Sequence, residues 1–172
     1  MSRRRLERAV LTATRDGMQR LLRSRWSISS PDWMPRTRVE TRARARVLQA
    51  LYAWDLRGAA RLDRVAALIW DDLLVPADER QLAGQLVRTL SEHGAELDAE
   101  LADVTTNWRL DRLSVIDRSV LRLAAAELQR GETPPRVVIK EAVHLAERYG
   151  TVKSAKFVNG VLDALARRMG RM

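Results

Sequence analysis

The chain has 172 residues, of which 46% are hydrophobic, enough for one domain with a core of its own. It contains no cysteine, which excludes disulfides, thiolate metal sites and cysteine nucleophiles. No apolar run approaches the roughly 18 residues that a membrane span requires, and no membrane partner is expected. The formal net charge of +9 is carried by 28 arginines and only three lysines, Lys140, Lys153 and Lys156.

That charge is unevenly placed. Residues 1–46 hold 13 arginines against Glu7, Asp16, Asp32 and Glu40, a net of +9, whereas residues 47–172 balance at 18 basic and 18 acidic side chains. A neutral body with a basic arm points to a polyanionic partner, nucleic acid or an anionic surface.

In chain order, Leu6, Val10, Ala13, Gly17 and Leu21 fall on one stripe and predict a basic amphipathic helix near residues 3–25. The stretch "SISSPDWMP", rich in serine and proline, reads as a linker. From Arg38 to Arg57, a helix is expected with Ala43, Val47, Ala50, Leu51 and Trp54 on one face and Arg38, Arg42, Arg46 and Gln49 opposite, Tyr52 lying at the flank. Gly58 is its natural stop. "RLDRVAALIWDDLL" gives a short helix ended by Pro76, and a long one runs from about Ala77 to Thr105, with Gly94 as a possible bend. Ser114 and Asp117 have capping-box-like spacing at the start of a helix that closes at Gly131. "TPPRVVIKEAVHLAERYG" opens on prolines and stops at Gly150, and "KSAKFVNGVLDAL" forms the last helix. Nothing reads as a strand, so the fold class is all-α.

The last helix contains an oddity. Glycine inside a helix is less favourable than alanine by about 1 kcal/mol, and asparagine is a mediocre helix former, yet Asn159 and Gly160 sit mid-helix. The expectation is that Gly160 permits close approach of a neighbouring helix, in which case Gly160→Leu would overpack by about 1–3 kcal/mol. Asn159 would cap, bridge helices or face a ligand.

Catalytic chemistry is sparse. There is no phosphate-binding loop, dinucleotide fingerprint or nucleophile elbow. His144 follows Glu141 by three residues, a spacing used in helical di-iron sites, but the only other histidine, His93, lacks such a pair. No metal, cofactor or catalytic residue is expected. His144 and His93 read as surface or half-buried residues, and Trp54, Trp70 and Trp108 as core or interface anchors.

Four consecutive segments carry a resemblance: "RARARVLQALYAWDL", "LDRLSVIDRSVLRLAAAEL", "PPRVVIKEAVHLAERYG" and "SAKFVNGVLDALA". They are similar, in order and over about residues 38–168, to the signatures of the NusB family of transcription antitermination factors. The resemblance implies a compact all-helical bundle of six to seven helices and no enzymatic activity. It also implies a bacterial cytoplasmic protein that binds the single-stranded boxA element of ribosomal RNA transcripts. The expected partner is a NusE-like small-subunit ribosomal protein, with other Nus factors and RNA polymerase engaged indirectly. Residues 36–172 would be the NusB-like RNA-binding domain and 1–35 a basic extension. The residues before Met34 have no counterpart in the resemblance, and Met34 is itself a candidate translation start.

Transferred by position, the arginine-rich helix start falls on Arg42 and Arg44, and "QALY" on Gln49 to Tyr52. The RNA-contacting run covers Gly150 to Gly160, with Lys156, Phe157 and Asn159. In place of the family's arginine run followed by "ARE", this chain has lost two cations and gained Arg46. Single-stranded RNA is bound by cations tracking phosphates, aromatic faces under bases and amides on base edges. Arg42, Arg46, Gln49 and Tyr52 offer that set from one helix, and Lys153, Lys156 and Asn159 a second set near another helix start. Phe157 shares a face with Val161 and Leu165, so core burial competes with stacking. Two other functions compete. One is the NusB-like module at the front of ribosomal RNA cytosine methyltransferases, an enzyme class excluded for this chain alone because no catalytic cysteine and no nucleotide-binding glycine run follow. The other is a non-enzymatic helical adaptor whose basic arm meets an acidic protein.

Overall fold

The computed structural model describes residues 38–58 and 61–172. The expected helix at 3–25 and the linker after it lie outside the described residues. Among those described, six α-helices and one 3₁₀ turn occur and no strand: α1 (Val39–Arg57), α2 (Leu62–Asp72), α3 (Ala77–Val104), the 3₁₀ turn (Leu110–Arg112), α4 (Val115–Arg130), α5 (Pro135–Tyr149) and α6 (Ser154–Arg168).

The termini follow local chemistry. Ser114 accepts the Asp117 N–H at 3.1 Å and so caps α4. Gly131, with φ +69°, ends it in the left-handed conformation that glycine adopts without a Cβ penalty. Gly58 closes α1 as the sequence predicts. Helix α2 stops at Asp72, earlier than the run to Leu74 implied, because Leu74 turns to φ +50° before Pro76 opens α3.

Helix α1 packs on α2, α3 and α4, helix α4 packs on α1, α3, α5 and α6, and α6 packs on α3, α4 and α5. Ala43, Val47, Ala50 and Leu51 are buried as expected, but so are Arg44, Ala45, Leu48, Gln49 and Ala53. The two-faced helix anticipated from the sequence is therefore corrected to one enclosed over most of its circumference. A run of alanines makes this possible, since small side chains let several helices approach one axis. Trp70 is buried, donating its indole N–H to the Arg46 carbonyl at 3.2 Å. Trp54 is half-buried under the Arg122 guanidinium, 5.4 Å from its ring centroid. Trp108 departs from expectation: it lies in the turn after α3 and is 62% exposed.

Gly160 is also corrected. It is exposed, and a Cβ added there meets nothing within 4 Å, so close packing is not its reason. Gly160→Ala is expected to stabilise the protein by up to about 1 kcal/mol through helix propensity, raising Tm by about 2–4 °C. A thermal melt that shows a loss instead would restore a steric role for this glycine.

Candidate nucleic-acid interface

The turn between α5 and α6 is fixed by a close contact. A Cβ on Gly150 would lie 2.5 Å from Ser154 Oγ and 2.7 Å from the Ala146 carbonyl oxygen, so no other residue fits without movement. Buried Ser154 Oγ accepts the Thr151 N–H at 2.9 Å. This turn sets the start of α6, where Lys153, Lys156 and Asn159 are exposed and Phe157 is half-buried. No side chain caps the first turn of α6, so its N–H groups and dipole favour an anion. Among the described residues, Asn159 makes no side-chain hydrogen bond.

The α1 set has different surroundings. Arg44 is buried and grips Glu127 with two nitrogens, Nε to Oε2 at 2.9 Å and Nη2 to Oε1 at 2.7 Å, with Glu141 3.6 Å away. Burial disfavours its charge. The bond to Glu127 and the charges of Glu127, Glu141 and Glu40 outweigh that and hold Arg44 above arginine's ordinary value. Glu79, 3% exposed at the start of α3, bridges two further arginines: Arg42 Nε donates to Oε1 at 2.7 Å and Arg46 Nε to Oε2 at 2.9 Å. Arg46 also reaches Gln49 Oε1 at 3.4 Å. The side chains of Arg42 and Arg46 are 29% and 12% exposed, Gln49 is buried and Tyr52 is half-buried. Arg42, Arg46 and Gln49 do cluster, but around a carboxylate and not on an open face.

Helix α5 links the two sets. Thr41 donates to Glu141 at 2.9 Å. At the carboxy-terminal end of α5 stands buried Tyr149, whose phenol is pushed up by burial despite the opposing charges of Arg148 and Arg46. The helix thus reaches the start of α1 from its middle, through Glu141, and ends at the Gly150 turn. Its outer side exposes Arg136, Lys140 and His144, which the sequence reading did not assign to the site. Their spacing of four residues was the available signal. Glu79 and Glu127 were also missed, although a lone glutamate within "LAAAEL" is the mark of a buried partner for an arginine. No group of histidine and carboxylate side chains among the described residues is placed to hold a metal. No described helix is long and apolar enough to cross a membrane.

The chain is similar in sequence and fold to known proteins. The NusB family model matches residues 41–167. The chain is 45% identical over 131 residues to the transcription antitermination protein NusB of Anaeromyxobacter dehalogenans (strain 2CP-1), covering 76% of this chain and 92% of that protein. Its fold is similar to that of T. maritima NusB at 36% identity, with TM-score 0.68 over 74% of this chain and 90% of that one. It is also similar to a structure of the antitermination factors NusB and NusE in complex with dsRNA, at 32% identity and TM-score 0.66 over 78% of this chain and 99% of that one. With sequence and fold matched over nearly the whole length of these relatives, the chain belongs to the NusB family of transcription antitermination proteins, a family of RNA-binding adaptors and not of enzymes.

Proposed function

We propose that this protein acts in the bacterial cytoplasm as an antitermination factor that binds single-stranded boxA-type RNA of ribosomal RNA transcripts with a NusE-like ribosomal protein, so that RNA polymerase stays processive. Residues 36–172 form the RNA-binding domain, and 1–35 a basic extension that adds nonspecific affinity. The observation that carries the reading is the exposed run Lys153, Lys156 and Asn159 at an uncapped helix start, in a chain whose fold matches the NusB of a NusB–NusE–RNA complex. Lys153 and Lys156 are suited to phosphates, Asn159 to a base edge, and the half-buried rings of Tyr52 and Phe157 to stacking. Arg42 and Arg46 are partly exposed and contribute charge at the edge of this surface, while Arg44 and Gln49 support the helix from within.

The decisive measurement is a titration of boxA-type RNA, a scrambled RNA of equal length and a duplex, each with and without the NusE-like partner. Binding is expected to be salt-dependent, to favour the single-stranded boxA RNA and to tighten with the partner. Tyr52→Ala is expected to weaken RNA binding by about 1–3 kcal/mol with little change in salt slope, and Tyr52→Phe to retain it. The engagement of the α1 arginines with Glu79 and Glu127 favours a second reading, a protein-binding adaptor. That reading wins if RNA binding is absent or indifferent to sequence while the partner binds normally.

A further inference from the structure

On the outer side of the α5–α6 hairpin lies a groove of about 540 Å³ whose rim carries Arg136, Lys140 and His144 from α5 and Asn159 from α6. We propose that this groove is a second track for the phosphodiester backbone of single-stranded RNA, continuing the path that leaves Lys153 and Lys156. It rests on the RNA-binding reading above and adds to it a longer footprint, extending to nucleotides beyond the boxA element.

Three features support it. Arg136, Lys140 and His144 form a row at every fourth residue, a rise of about 6 Å per step, a separation that suits successive phosphates of an extended strand. The row is open: all three side chains are exposed, and among the described residues neither Arg136 nor Lys140 has an ion-pair partner. This contrasts with Arg42, Arg44 and Arg46, which are committed to carboxylates inside the bundle. Finally, the row joins the proposed site, because Asn159 belongs to the groove and Lys156 lies one turn before it on α6. Ile139 and Val143 also line the groove and give a base an apolar surface to lie against. Two carboxylate side chains line the groove, Glu147 and Asp163, with Met172 beside them. Asp163 is already matched by Arg167 Nε at 2.9 Å, which leaves the Glu147 side chain at the His144 end and the backbone carboxylate of Met172 as opposing charges.

The test compares a boxA-type RNA with the same RNA lengthened by uridine tracts at both ends, using the full chain and the variant Arg136→Ala/Lys140→Ala/His144→Ala. All three positions are exposed, so the fold is expected to persist, as the circular dichroism spectrum and Tm check directly. Wild type is expected to bind the lengthened RNA more tightly than the short one. The variant is expected to lose that gain, with a log–log salt slope reduced by about 0.7 per cation removed, about 1.4 for the arginine and lysine together. Lys140→Glu alone is expected to weaken the lengthened RNA further than Lys140→Ala. A variant that keeps both the gain and the slope overturns the second track while leaving the boxA reading intact. If wild type binds neither RNA at low salt, the boxA reading and the track fall together. Should the triple variant lose the NusE-like partner and titrate RNA as wild type does, the face is a protein surface and the proposal is wrong.

Discussion

Replacing Arg44 with alanine is expected to destabilise the protein by about 3–5 kcal/mol, because it strands the Glu127 carboxylate in the core without its two charge-assisted bonds. Glu127→Ala is expected to match it, leaving a buried guanidinium with only Glu141, 3.6 Å away, for compensation. The pair itself is worth far less than either deletion suggests, since desolvation offsets much of its Coulomb attraction. Arg44→Met/Glu127→Leu should therefore recover most of the loss, and chemical denaturation of the two single variants and the double provides the cycle. Arg44 is held above its ordinary pKa. Its contribution is consequently complete below arginine's ordinary value and disappears only in strong alkali. A stability loss near neutral pH must come from another group.

The second large effect is expected at Glu79. In Glu79→Ala, Arg42 and Arg46 lose their shared carboxylate and face each other as like charges. Their side chains retain some access to water, which moderates the penalty to about 2–3 kcal/mol, below the fully buried case. RNA affinity is expected to move the other way: guanidiniums released from Glu79 become available to phosphate, steepening the salt slope by up to about 1.4 if both engage. Parallel measurements of Tm and RNA affinity separate the two outcomes. Equal losses in both would assign the Glu79 cluster to structure alone.

These arginines mark where sequence reading stops. Helix positions and ends were legible because their causes are local: the Ser114 cap, the prolines before α5, and the glycines at 58, 131 and 150. The helix start that carries Lys153, Lys156 and Asn159 was legible for the same reason. The orientation of α1 was not, since periodicity distinguishes an apolar face from a polar one only when the polar side chains meet water. Here Arg44 meets Glu127, 83 residues away in sequence, and Arg42 meets Glu79, 37 away. No local pattern announces such pairings. Gly160 misled in the opposite sense: its cost to the helix was read as evidence of packing, yet open space surrounds it. Trp108 shows that hydrophobicity without a periodic context does not determine burial.

The enclosure of α1 by helices that follow it in the chain also bears on the order of events during synthesis. Helix α1 precedes the partners that enclose it, and Arg44 must wait 83 residues for Glu127. At roughly 5–20 residues per second, that interval is about 4–17 s. Until α4 leaves the ribosome, α1 lacks one of the three helices that pack on it. The hairpin of α5 and α6, by contrast, closes on neighbours made moments earlier. The amino-terminal helix of the described bundle is thus made first and enclosed last, and the nascent chain carries Arg42, Arg44 and Arg46 before Glu79 and Glu127 exist to pair with them.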